Sequence, residues 1–262
     1  MSLTTHEKIQ KIQAMRPIDD IFFEVLSENP KVCEEMLRTI LDDPKLIVLS
    51  TVPQRSEQNI YGRSVRLDVL CVIGDGSKCN IEIQRSDNDD HLRRVRFNAS
   101  SITVKESTKG DKFKDVIDLC IIYVSEFDVF GEGKTIYHVD SVIRETGTVV
   151  DDGLKRIFVN TAINDGTKVA ELMSCFMQTD INNAKFPELS KEVTRLKTER
   201  GGLKAMCKVM DELIDKAVSE NTIKMLLRFG ASDDQIVKEL QSECGLSESE
   251  AIEQIKQFKS NN

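Results

Sequence analysis

Behind Arg16-Pro17-Ile18-Asp19-Asp20, apolar residues recur at Ile21, Phe22, Val25 and Leu26. That spacing predicts a helix, with the acidic pair at the positive end of its dipole. A second helix is expected over residues 31–41, where Val32, Met36, Leu37 and Ile40 repeat before Asp42-Asp43-Pro44. The period then shortens. Residues 46–51 and 64–73 read as strands, Gly74-Asp75-Gly76 as a turn, and residues 80–84 as the returning strand. Residues 91–105 suit a helix, 115–124 a buried strand, and 135–139 and 156–160 short strands. From Lys168 onward the pattern is helical; Gly201-Gly202 is expected to interrupt it, and Ser219-Glu220-Asn221 to end a long helix before three short ones. The order gives an α/β (α+β) class: a mixed sheet with one crossover helix, then a helical C-terminal tail. The expected boundaries are a core over residues 1–167, a helical extension over 168–220 and a three-helix element over 221–262.

Composition narrows the function. The 262 residues are 40% apolar and 31% charged, an ordinary folded protein, and 36 basic against 44 acidic residues give a net charge of −8. That total argues against a surface coated in positive charge, yet leaves room for a local basic groove. Apolar runs such as Leu119-Cys120-Ile121-Ile122-Tyr123-Val124 fall far short of the ~20 residues of a membrane span, and no membrane partner is expected. Residues 1–15 are polar and mixed in charge, so no secretory signal is expected. The seven cysteines contain no CxxC pair, and several sit in apolar runs as small hydrophobes. A reducing cytoplasm suits them better than a disulfide scaffold or zinc ribbon.

One hairpin carries chemistry. Alternation puts Glu82 and Gln84 on one face of the returning strand and Ile81 and Ile83 on the other. If the turn is centred on Asp75, Asp68 falls opposite Glu82 on the same face; a turn shifted by one residue would break that parity. Two carboxylates side by side among apolar residues repel each other unless a cation bridges them or one is protonated. A hard divalent cation such as magnesium resolves the conflict. The alternative is a solvated pair on an open hairpin face.

A basic segment follows. Between residues 91 and 105 stand Arg93, Arg94, Arg96 and Lys105 and no acidic residue, a local +4. The guanidinium fork suits phosphate; the alternative is a helix that pairs its arginines with Asp87, Asp89 and Asp90.

Asp68, 13 intervening residues, Glu82-Ile83-Gln84 and then an arginine-rich helix resemble the PD-(D/E)XK nuclease superfamily. More closely, the chain resembles the PD-(D/E)XK nuclease family transposases, related to the recombination-promoting nuclease (Rpn) family. Further likeness lies in Ile18-Asp19-Asp20-Ile21-Phe22, Gly62-Arg63-Ser64-Val65-Arg66-Leu67-Asp68, Asn80-Ile81-Glu82-Ile83-Gln84-Arg85, Arg94-Val95-Arg96-Phe97-Asn98, Ile136-Tyr137-His138-Val139-Asp140 and Ile143-Arg144-Glu145-Thr146-Gly147. The resemblance implies a restriction-endonuclease-like mixed sheet flanked by helices, and cleavage of DNA phosphodiesters with Mg2+, or Mn2+ in its place. By position it implies Asp68 and Glu82 as catalytic metal ligands, with the Ile83 carbonyl beside them. Gln84 stands where the superfamily more often has lysine, as is usual for this branch; an amide orients water but brings no charge. Arg94 and Arg96 are implied as DNA-phosphate contacts, Arg63 as a weaker one, and Asp20 or Glu24 as a further acid on the first helix.

His91 is read as a solvated residue near a helix start rather than a catalytic base, and His138 as structural. In the tail, Ala231-Ser232-Asp233-Asp234 and Gly245-Leu246-Ser247 are helix-start signals. With five basic and seven acidic residues over 221–262, an oligomerisation or docking role, such as a homodimer, is favoured over groove reading. The leading expectation is a cytoplasmic magnesium-dependent DNA endonuclease. The alternative is a nuclease-like module that binds DNA or protein without cutting.

Overall fold

The computed structural model describes residues 3–54, 56–57, 65–88, 90–108, 110 and 112–261, with backbone alone at 56, 57, 65, 66, 260 and 261. Helix α1 (Thr5–Ala14) opens the chain. No apolar period announces it; its start is a capping box in which Thr4 and Glu7 satisfy each other's backbone amides. Helices α2 (Asp20–Leu26) and α3 (Pro30–Ile40) follow as expected, the second begun by the Asn29 side chain on the Lys31 amide.

The central sheet has six strands in the order β1-β4-β5-β6-β10-β7, where β1 is Val48–Pro53, β4 Val69–Ile73, β5 Lys78–Gln84, β6 Leu119–Ser125, β7 Ile136–Val139 and β10 Leu154–Asn160. β5 runs parallel to β6, and β6 to β10; the other pairings are antiparallel. Helix α4 (His91–Glu106) is the β5-to-β6 crossover, and its last residue pairs with Lys78 at the start of β5. Two small hairpins, β2 (Ser56–Glu57) with β3 (Val65–Arg66) and β8 (Ser141–Ile143) with β9 (Thr148–Val150), stand outside the sheet.

Strand alternation divides the core in two. Val69, Cys71, Cys79, Ile81, Cys120, Ile122, Ile157 and Val159 point to the face covered by α2, α3, α5 (Lys168–Phe176), α6 (Pro187–Thr198) and the first half of α7 (Arg200–Arg228). Leu70, Ile121, Tyr123 and Phe158 point to the other face, where α4 lays down Val95, Ala99 and Ile102 at helical spacing. The sheet is thus covered on both faces, with α4 over the second.

Three expectations are corrected. The strand expected over 64–73 is broken, with Asp68 at a bend between β3 and β4. The helix break falls at Glu199, and α7 runs through Gly201-Gly202: a Cβ on Gly202 would stand 2.2 Å from the Arg195 carbonyl oxygen, so the glycine permits a close helix crossing. Nor does α7 stop near Asn221; the Ser219 hydroxyl bonds back to the Asp215 carbonyl (2.9 Å) and the helix continues to Arg228. The boundary drawn at 220/221 thus lies inside a helix. The end of α7 packs with α8 (Asp233–Cys244) and α9 (Glu248–Asn261) around a separate cluster of Ile223, Ile236, Leu240, Ala251 and Ile255. The Ser232 cap and the Gly245-Leu246-Ser247 break are where the sequence signals put them. Among the described residues, no helix is long and apolar enough to cross a membrane.

Candidate active site

The β4–β5 turn has the geometry that the facing carboxylates require. Asp75 accepts from the Ser77 amide (2.9 Å) and hydroxyl (2.7 Å), and Gly76 takes the left-handed conformation at φ 90°. Val69 pairs with Ile81, Leu70 with Asn80, Cys71 with Cys79 and Val72 with Lys78, the register of a turn centred on Asp75. One residue beyond the last rung, Asp68 bends out of the strand. Its Oδ2 accepts from the Ile83 amide at 2.7 Å, the donor that a continued ladder would have bonded to main chain. This substitution of side chain for backbone is the physical reason for the break in the expected strand.

Glu82 is 5% exposed and lies on the α4 face with Asn80 and Gln84. Burial and then the Asp68 charge push its carboxyl up to about 8, against the lowering effects of a hydrogen bond from Asn80 and of Arg94. Asn80 Nδ2 donates to Glu82 Oε1 at 2.6 Å, while Asn80 Oδ1 is buried with no partner among the described residues. Gln84, also buried, donates from Nε2 to the Ser86 carbonyl at 2.6 Å, which leaves its Oε1 as the remaining polar atom. Acceptor oxygens thus gather on this face of β5.

Over this face sits the first turn of α4. Arg94 is half-buried, near enough to lower the Glu82 carboxyl, and pairs with Asp90 Oδ2 at 3.7 Å. Arg96 is about 200° further round the helix and exposed, so the structure does not bring it to the carboxylates with Arg94. Arg63 lies outside the described residues. His91 corrects the solvated reading: it is buried, with Nδ1 2.8 Å from the Tyr123 hydroxyl and Nε2 2.8 Å from Asp87 Oδ1. Neither Tyr123 nor Asn80 stood out in the sequence. The usable signals were the alternation Asn80-Ile81-Glu82-Ile83-Gln84 and the hydroxyl in the otherwise apolar Leu119–Val124 run.

At the ends of β5 and β6, Arg16 and Arg85 alternate with Asp19 and Glu126 in a ring of four ion pairs between 2.9 and 3.1 Å. Asp20 adjoins this ring; burial raises its carboxyl while Arg85 opposes the shift. Asp20, one of the two candidate acids on α2, is thus tied electrostatically to the strand end after Gln84. Cavities of about 560 and 520 Å3 lie elsewhere, beside Lys197 and around His138 and Arg156.

An acidic pair at a hairpin end in a mixed sheet, with a basic crossover helix above, defines a nuclease-like α/β protein. The chain belongs to the PD-(D/E)XK nuclease family transposases, whose family model matches residues 21–221. No curated protein and no solved structure gives a match. Nucleases of this family generally use divalent metals. Among the described residues no group of three or more Asp, Glu, His or Cys side chains is arranged to hold an ion. The donors on offer are the Asp68 and Glu82 carboxylates and the orphaned Asn80 amide oxygen, an all-oxygen set that fits a hard cation.

Proposed function

We propose that the protein is a magnesium-dependent DNA endonuclease, with Mn2+ able to replace Mg2+. The observation that carries this reading is the Asp68–Glu82 pair: a carboxyl driven up to about 8 by burial and by a neighbouring charge is one that a bound cation would return to its ionised form. Asp68 and Glu82 would hold the metal, which when bound lowers the pKa of its water and neutralises charge on the phosphate. Asn80 fixes the Glu82 carboxylate by its 2.6 Å bond. Gln84, with Nε2 committed to Ser86, would orient water through Oε1 and cannot serve as a base near neutral pH. Arg94 is the proposed phosphate contact at the scissile position; Arg96 and Arg63 are proposed contacts further along the DNA backbone. Cleavage of supercoiled plasmid with Mg2+, comparing wild type with Asp68→Asn and Glu82→Gln, tests the reading. Nicking lost in both variants supports it, and equal activity in all three defeats it.

A second reading is favoured by Gln84. Its amide is turned to Ser86 rather than towards the carboxylates, and it supplies no positive charge, as suits a nuclease-like module that binds DNA or protein without cutting. Salt-sensitive DNA binding without magnesium-stimulated nicking would favour it. The tail is proposed as a homodimer surface, supported by Val218, Met225 and Phe229, which are exposed along one face of α7; light scattering of Phe229→Ser tests this. A cytoplasmic location goes with a DNA substrate and buried free thiols.

A further inference from the structure

We propose that Tyr123 holds water at the carboxylate pair through its hydroxyl oxygen, and that His91 is the positioning residue that commits the hydroxyl hydrogen elsewhere. The inference rests on the metal-dependent reading of the same site.

Tyr123 is the register partner of Glu82 on the neighbouring parallel strand. The two side chains leave the same face of strands spaced about 4.8 Å apart. Tyr123 is buried, and its hydroxyl is 2.8 Å from His91 Nδ1. The other ring nitrogen is 2.8 Å from Asp87 Oδ1, and the imidazole leans on Phe127 at 4.8 Å between ring centres. The side chain of Asp87 is 66% exposed, and its Oδ1 is an acceptor for a ring N–H. An imidazole that donates from Nε2 to that oxygen presents a lone pair at Nδ1. The Tyr123 hydroxyl, with a single hydrogen, has to donate it there.

The consequence is directional. With its hydrogen spent on His91, Tyr123 Oη has only lone pairs left to offer. Asp68 and Glu82 add carboxylate oxygens, and Asn80 Oδ1 is a buried acceptor with no partner among the described residues. Burial acts most strongly on the Tyr123 hydroxyl, and Arg94, Asp90, Glu82 and Asp68 all act on it electrostatically. Water bound to a cation is a donor that the Tyr123 oxygen and its neighbouring acceptors could share. A tyrosine whose only task was to anchor α4 would make the same bond to His91 but would leave metal binding untouched.

The test uses the full chain. Long-range 1H–15N spectra of the metal-free protein at pH 8 report the His91 tautomer, calorimetry with Mn2+ reports metal affinity, and plasmid nicking reports turnover. The expected tautomer is Nε2–H with Nδ1 as acceptor. Tyr123→Phe and His91→Phe should each weaken Mn2+ binding and slow nicking by about tenfold or more, with KM for DNA unchanged. The double variant should be no worse than either single one, because the pair acts as a unit. Tyr123→Phe removes one oxygen from a buried ring, and a melting curve verifies that it folds. An Nδ1–H tautomer or an imidazolium overturns the proposal, as does wild-type Mn2+ affinity in a folded Tyr123→Phe. If Asp68→Asn loses Mn2+ while Tyr123→Phe keeps it, this inference alone fails. A wild type that neither binds Mn2+ nor nicks DNA brings down the nuclease reading with it.

Discussion

Asp68 and Glu82 meet where the β4–β5 ladder stops: the last rung joins Val69 to Ile81, and the Asp68 carboxylate takes the Ile83 amide at 2.7 Å beside the buried Glu82. Bending the chain at Asp68 ends the backbone pairing early and concentrates negative charge in the resulting notch. A fold selected only for stability would fill that notch with apolar side chains, so the pair stores instability at the place where chemistry is proposed.

The first prediction concerns pH. Glu82 titrates near pH 8 in the folded chain, against an ordinary value of 4.5. Between those values the folded state binds a proton that the unfolded state has released, so the slope of stability with pH is negative. The contribution is complete below about pH 4.5 and is lost as pH rises through about 8. The metal-free protein should therefore melt at progressively lower temperature between pH 5 and pH 8.5, and Glu82→Gln should flatten that decline. Saturating Mg2+ should restore the wild type at pH 8 and leave Glu82→Gln unmoved.

Asn80 separates stability from function. Its Nδ2 bond holds Glu82 Oε1, but its Oδ1 is a buried acceptor without a partner among the described residues. Replacing it by leucine removes that uncompensated oxygen along with the bond to Glu82. Asn80→Leu should melt no lower than wild type at pH 6, where Glu82 is protonated, while metal-stimulated nicking falls by about tenfold or more. Melting curves and initial rates on one preparation decide it; a large loss of stability at pH 6 would place Asn80 in the structural core instead.

How much of this was readable beforehand follows from the range of each interaction. The hairpin register was legible because alternation from Asn80 to Gln84 and the turn at Asp75 are both local. The bend at Asp68 was hidden, since strand-forming residues flank it on both sides and the Ile83 amide that takes its carboxylate is brought round by the turn. His91 was misread for the same reason. Its partner Tyr123 is 32 residues away and arrives through the β5–α4–β6 crossover, which a helix-start pattern does not encode. Glycines in α7 read as punctuation, whereas Gly202 serves the contact with α6.

That contact gives a further prediction. A Cβ at Gly202 would meet Arg195 O at 2.2 Å and Leu196 Cα at 2.6 Å, both backbone atoms that cannot swing aside. Alanine ordinarily helps a helix, by about 1 kcal/mol over glycine. Here the clash should dominate, and Gly202→Ala should destabilise by about 1–3 kcal/mol in urea unfolding. Gly201→Ala, with open space around it, should show the ordinary helical gain. The pair of neighbouring glycines thus carries its own control.

The last prediction asks which arginine touches phosphate. Arg94 and Arg96 stand two residues apart in the basic segment, yet of the two it is Arg94 that acts on Glu82, while Arg96 projects from the far side of α4. A side chain that neutralises one phosphate releases counterions, and its removal lowers the slope of log K against log salt by about one. In binding titrations with Ca2+ in place of Mg2+, to suppress cutting, Arg94→Ala should reduce the slope by that amount and weaken binding across DNA sequences alike. Its nicking rate at saturating DNA should fall as well, because the contact is made at the scissile phosphate. Arg96→Ala should change the slope without changing that rate, since a residue remote from the carboxylates contributes attraction but no transition-state contact. Equal effects of the two substitutions on nicking at saturating DNA would mean that the DNA path does not follow the α4 face that Glu82 occupies, and the phosphate contact would have to be sought on another element.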